Sequence, residues 1–395
     1  MRSSLRLGRV IGIPIEVHWS ILAIVALFTV NLAVQALPLY VPDADLRSRL
    51  VAATVGIGLF FASILAHELG HALVALNQGV GVSGITLWLL GGMAQLDRIV
   101  PTARAELRIA AAGPAVSGVL GLFFLCSTVI ANEVGALRLI VAVGAWLATV
   151  NLALTLFNLL PAAPLDGGRI LSAVLWKRMD DAEKARVISG RCGLILGAAL
   201  ALYGVFQILI QGVIGGWMPA VVGLFVLGAA RTEIRLAVVR RRLRSTTAAQ
   251  VLIPHPPAVP DSVSVRQLGQ WAGAGGLQTA YPVVRWDPAP IGYVVPGALA
   301  TLPPAQQSWT KLSQVMRSVD QVDRIGLNES ADDILARWGT DRGRIAVVYD
   351  RDPGLAVGTV TFTQLQSLLV WPDLWGRDRK PDLSRQVHSS PIRQP

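Results

Sequence analysis

Residues 51–77 read VAATVGIGLFFASILAHELGHALVALN. The ionisable side chains of this stretch are His67, Glu68 and His71 alone. A helix that crosses a bilayer needs about 20 mostly apolar residues, and this run supplies them. It therefore predicts a membrane-spanning helix, with the two histidines and the glutamate set inside it. Ionisable groups at membrane depth are costly and mark a functional site by default.

The rest of the chain agrees with a membrane environment. Of 395 residues, 53% are hydrophobic and 15% charged, where soluble domains carry about 25% charged residues. Further apolar runs lie at about 19–39, 107–131, 137–160, 191–211 and 213–231, six spans in all, the last two forming a tight hairpin around Gly212. The stretch 83–96 is apolar but short and glycine-marked, and reads as a strand pair or a re-entrant loop. The N-terminal segment to Glu16 is too polar for the apolar core of a signal peptide, so the first run is expected to stay as an anchor. Cys126 and Cys192 both fall within apolar segments and offer neither a disulfide framework nor a zinc–thiolate spacing.

The formal charge of +10 does not point to nucleic acid, because the basic residues flank the apolar runs. With the N-terminus in the cytosol, eighteen Arg and Lys residues fall inside and three (Arg47, Arg49 and Arg138) outside. Both termini are then cytosolic.

His67 and His71 are four apart, so a helix stacks their imidazoles on one face, one turn apart. Both can bind one zinc ion through ring nitrogens. Glu68 lies beside them and suits the role of proton acceptor from water. Gly70 is expected to keep the helix surface open near the metal. Catalytic zinc takes a third protein ligand and keeps one position open. Asp166 is the candidate, in the string Asn158-Leu-Leu-Pro161-Ala-Ala-Pro164-Leu-Asp166-Gly167-Gly168. The prolines break the helix and the glycines let backbone come close. Run directions bring Asp166 to the depth of His67 and His71, in the cytosolic half. One zinc per subunit is expected. A proton or metal transport path through the same three residues, and a protein that binds membrane partners without cutting them, are the other readings.

These residues resemble the site-2 protease metalloproteases (peptidase family M50). The resemblance rests on His67-Glu68-Leu69-Gly70-His71, on Asn158-x-x-Pro161 followed by Leu165-Asp166-Gly167, and on Gly91-Gly92 and Ala112-Gly113-Pro114. It covers about 10–210. It implies that His67, His71 and Asp166 bind zinc, that Glu68 is the catalytic base, and that Asn158 helps hold the substrate or its oxyanion. It also implies a transmembrane protein as substrate, such as an anti-sigma factor or similar membrane-anchored regulator.

After Arg244 the composition changes. Residues 245–371 hold two copies of one plan, about 245–303 and 309–371, each a helix-like segment, two β runs and a helix start. They resemble tandem CBS domains. Adenine-nucleotide-binding members carry Thr or Ser, then Asp three residues on. Here Gln364 follows Thr361, and the first copy has Val295 and Ala298 instead. This counts against nucleotide binding and leaves a structural or dimerising module open. The expected architecture is a multi-span α-helical membrane domain (1–244) with a short β or re-entrant element, a cytosolic α/β tandem CBS module (245–371) and a disordered tail (372–395).

Overall fold

The structure, a computed structural model, describes residues 4–88, 91–96, 100–212, 214–254, 258–275, 280–286, 290–299, 302–339, 344–349 and 356–370. The tail expected to be disordered lies outside these. The chain forms two compact units, Met1–Ala237 and Val238–Pro395.

The first unit opens with strands β1 (Ser4–Val10) and β2 (Ile13–His18). Their two-residue turn, Ile11-Gly12, has positive φ at both positions (51° and 81°). This backbone matches the strand twist, and glycine adopts it without strain. The sequence reading of the basic N-terminus did not include this hairpin. Helix α1 (Ser20–Asn31) passes through a π-helical turn, Leu32–Ala36, into α2 (Leu37–Tyr40). Pro38 follows the wide turn and cannot donate to the turn before it. Helix α3 (Leu46–Asn77) is capped by Asp45, whose carboxylate accepts the Ser48 N–H at 3.0 Å. Strands β3 (Val82–Trp88) and β4 (Gly91–Leu96) complete a four-stranded sheet in the order β1-β2-β3-β4. The β2–β3 pair is parallel and the other two are antiparallel. Of the two readings of 83–96, the strand pair is the one seen. Ile13 of β2 and Ile85 and Leu87 of β3 are buried with Ile21 and Ala72, which lays the sheet against α1 and α3.

Helices α4 (Ala103–Glu133) and α5 (Arg138–Asn158) pack beside α3. Gly56 of α3 faces Val143, and Gly121 of α4 faces Leu152. Small residues at helix crossings let backbones approach closely, as membrane bundles require. After a non-helical stretch come α6 (Asp166–Met179), α7 (Ala182–Leu209) and α8 (Trp217–Ser245). Helices α7 and α8 pair through Gly197, set against Gly223 and Leu227, and Gly204, set against Ala220.

Among the described residues five helical segments are long and apolar enough to cross a membrane: Ser20–Tyr40, α3, α4, α5 and α7. The sixth expected run falls in the N-terminal part of α8, which is not among these five. Helix α8 also explains why the second unit begins before residue 245. Val239 and Leu243 already belong to its core.

In the second unit, α9 (Ala248–Val251), β5 (Ile253–Pro254), β6 (Val259–Pro260), α10 (Val265–Gly275), β7 (Tyr281–Val284), β8 (Gly292–Val294) and α11 (Pro296–Leu299) make the first copy. The second copy repeats the plan: α12 (Leu312–Val315), β9 (Arg317–Ser318), β10 (Asp323–Gly326), α13 (Ala331–Trp338), β11 (Ile345–Tyr349), β12 (Ala356–Thr361) and α14 (Phe362–Val370). The sheets are β6-β7-β8-β9 and β10-β11-β12-β5. Each copy thus lends its first strand to the other's sheet, β5 to β12 and β9 to β8. This reciprocal exchange ties the two copies into one unit.

Candidate metal centre

His67 and His71 lie in the C-terminal half of α3, and both are buried. Their outward ring nitrogens are held by α4. His71 Nδ1 donates to the Ile109 carbonyl at 2.7 Å. His67 Nδ1 meets the Ser117 hydroxyl at 2.9 Å. A carbonyl only accepts, so the His71 proton sits on Nδ1 and its Nε2 presents a lone pair inward. The Ser117 hydroxyl can accept the Nδ1 proton of His67 and so is compatible with the same tautomer there.

Asp166 is the first residue of α6, which places its carboxylate where the chain turns from loop to helix. Gly167 packs against the carbonyls of Leu159 and Leu160, and Gly168 against Ala162 and Ala163, so a side chain at either would strike backbone. That packing aims Asp166 at the histidines. Its Oδ2 lies 3.2 Å from His67 Nε2 and 3.2 Å from His71 Nε2, and the two Nε2 atoms are 3.2 Å apart. His67, His71 and Asp166 are the metal-competent cluster among the described residues.

Three ligand atoms converging on one point could hold a cation between them. Tetrahedral zinc, with bonds of 2.0–2.1 Å, spaces its ligand atoms about 3.3–3.4 Å apart. The observed triangle therefore fits zinc closely. Gly113 of α4 clears the space, since a Cβ there would collide with both Nε2 atoms.

Glu68 points elsewhere. One position from His67 on a helix is a rotation of about 100°, which removes its carboxylate from the triangle. The side chain lies against β4, where a Cβ on Gly92 would stand 2.9 Å from Glu68 Cδ and 3.1 Å from Oε1. Asn158 closes α5, half-buried, and makes no hydrogen bond to the three donor residues. Gly70 does not open the helix surface toward the metal, as its place in the motif had suggested. It is packed against α4, facing Val116 and the Ala112 carbonyl, and sets the α3–α4 distance. Ser117 and the Ile109 carbonyl are the functional partners that sequence reasoning missed. A hydroxyl in an apolar run, four residues after Gly113, was the available signal for Ser117.

A His/His/Asp triangle in a bundle of apolar helices, with a glutamate alongside, has the donor set that a metal-dependent membrane enzyme needs. The model of peptidase family M50 matches residues 55–143 and 128–200. "Putative zinc metalloprotease Rip3" of Mycobacterium tuberculosis is 34% identical over 371 residues, 93% of either chain. Among solved structures, the site-2 protease from Methanocaldococcus jannaschii is 34% identical and matches 58% of this chain and 95% of its own, with a TM-score of 0.41. The CBS domain of a bacterial CNNM/CorC family Mg2+ transporter is 16% identical over 37% of this chain and 92% of its own, with a TM-score of 0.29. The chain belongs to peptidase family M50. It is a zinc metalloprotease with membrane-spanning helices.

Proposed function

We propose that the chain hydrolyses peptide bonds within or near the transmembrane segments of membrane-anchored proteins, at a zinc ion held by His67 Nε2, His71 Nε2 and Asp166 Oδ2. The 3.2 Å triangle carries this reading. Zinc there supplies Lewis-acid polarisation of the scissile carbonyl and makes water more acidic. Glu68 accepts the proton of the attacking water as the C–O bond forms. It then gives that proton to the leaving amide nitrogen as the C–N bond breaks. The Asn158 carboxamide, eight residues ahead of Asp166, helps hold the substrate or its oxyanion.

A helical substrate shields its peptide bonds within its own turns, so it must unwind first. Strand β4 is one of the two edge strands of the four-stranded sheet, and its Gly92 lies against Glu68. An extended segment added to that edge would run past the base. The site lies in the cytosolic half of the bilayer. The support is the eighteen-to-three distribution of basic residues and the position of His67, ten residues or about 15 Å from the end of α3. The second unit is cytosolic and regulates cleavage. The basic residues from Arg231 to Arg244, around its start, support the cytosolic placement.

The test is cleavage of a transmembrane substrate by purified protein in detergent. Glu68→Gln is expected to keep its zinc and to lose activity by roughly 100- to 10,000-fold, and chelators should abolish cleavage. Undiminished cleavage by Glu68→Gln would sink the mechanism.

A further inference from the structure

We infer that helix α7 is the cradle that places Asp166 in the metal triangle, with Ser189 and Gly193 as its positioning residues. This rests on Asp166 as third ligand. The loop 159–165 that delivers Asp166 has the apolar Ala162 and Ala163 buried at its centre, and these offer no side-chain hydrogen bond. Its backbone is instead held by α7. The Ala163 N–H donates to the Ser189 carbonyl at 3.2 Å. The Ser189 hydroxyl, itself 1% exposed, donates to the Gly168 carbonyl at 2.7 Å. Ser189 thus grips the chain three residues before Asp166 and two residues after it.

One turn further along α7, Gly193 lies directly under the same loop. A Cβ at Gly193 would collide with the Ala163 carbonyl oxygen and would stand 3.0 Å from the Cβ of Ala230 on α8. The obstacle on the loop side is backbone, which cannot rotate away, and α8 blocks retreat on the other. Any side chain at 193 must therefore push the loop, and the carboxylate with it, off the two histidines. The histidines share one rigid helix, so the cradle governs the Asp166 leg of the site alone.

The experiment measures the zinc affinity of the full-length protein in detergent, by metal content after equilibration with chelators of graded strength. The proteins compared are wild type, Gly193→Ala, Ser189→Ala, Asp166→Ala, and each α7 variant combined with Asp166→Ala. Gly193→Ala and Ser189→Ala should each lower zinc affinity by roughly 10- to 100-fold, the range for lost outer partners of a metal ligand. In the Asp166→Ala background neither should lower it further, because the leg they position is gone. A general loss of helix packing would lower affinity in both backgrounds alike, and that result overturns the proposal. So does wild-type affinity in Ser189→Ala, which decides the question even where Gly193→Ala does not assemble. Full zinc affinity in Asp166→Ala overturns the ligand assignment itself, a result distinct from failure of the cradle.

Discussion

Gly113→Ala should empty the metal site without altering any ligand. The added methyl group would point between the imidazoles, 2.6 Å from His67 Nε2 and closer still to His71 Nε2. Ordinary contact begins near 3.4 Å, so the His67 nitrogen must retreat by about 0.8 Å and the His71 nitrogen by more. Metal–ligand distances tolerate roughly 0.2 Å. The displacement therefore exceeds the tolerance several-fold, while the Ile109 carbonyl and Ser117 hold the outer edges of the same rings. Zinc affinity should fall by about 100-fold or more, at or beyond the upper end for lost outer partners, and proteolysis should fall with it. Metal content after equilibration with graded chelators is the assay. Gly118→Ala is the control on the same helix, because its Cβ meets only Thr155, at 3.6 Å, and it should bind zinc as wild type does. A folded Gly113→Ala protein that keeps zinc within twofold of wild type would refute the reasoning.

Ser117→Ala removes the hydroxyl that holds His67 Nδ1 and should weaken zinc by roughly 10- to 100-fold; unchanged affinity would show that helix packing alone orients the ring. In the second unit, Gln364→Ala should destabilise the fold by about 0.5–2 kcal/mol, the usual worth of a helix cap, read as an earlier unfolding transition. Gln364 Oε1 accepts from the Thr361 N–H at 2.8 Å and from its hydroxyl at 3.1 Å. Burial, with Tyr349 nearby, pushes the Tyr293 phenol up to about 12. The folded protein therefore holds that proton more tightly than the unfolded chain, whose tyrosines titrate near 10. The stability this contributes is full below about pH 10 and is lost as pH rises toward 12. Phenolate absorbance should show Tyr293 ionising only as the second unit unfolds, and its titration at an ordinary pH in the folded protein would contradict this.

How legible the site was depends on which interactions are local. His67, Glu68 and His71 are fixed by one helical turn, so sequence spacing sets their relative placement. Asp166 was found because Pro161, Pro164, Gly167 and Gly168 announce a broken helix at a distance the topology could match. The partners that hold these side chains were not legible. Ile109 contributes a carbonyl, which no residue type advertises. Ser117 reaches His67 only because α3 and α4 cross at Gly70. Gly70 was misread for the same reason, since a glycine beside a motif does not say which neighbour needs the room. The first hairpin was missed because its second strand, β2, pairs with β3, far along the chain. In the second unit the repeat was legible from recurring β runs, but the exchange of β5 and β9 was not, being a choice of pairing partner. Gln364 stood out as a departure from a nucleotide-binding pattern. Its carboxamide is engaged by Thr361 and reaches the Val251 carbonyl at 3.4 Å, so at this position the residue serves the helix start.

The position of Glu68 joins recognition to chemistry on the proposed reading. A residue next to a metal-binding histidine cannot share its metal, because the helix turns it about 100° away. In α3 that rotation brings Glu68 against β4 at Gly92, where only glycine leaves room for it. The edge that would accept an extended substrate and the base that would take its water's proton are therefore in contact. A helical segment has its carbonyls engaged by its own N–H groups and cannot pair with an edge strand. A segment paired along β4 would have every second carbonyl directed away from the sheet edge, free to meet the metal. Selection for unwound substrate would then follow from this edge itself, because pairing with β4 and helical structure compete for the same backbone groups.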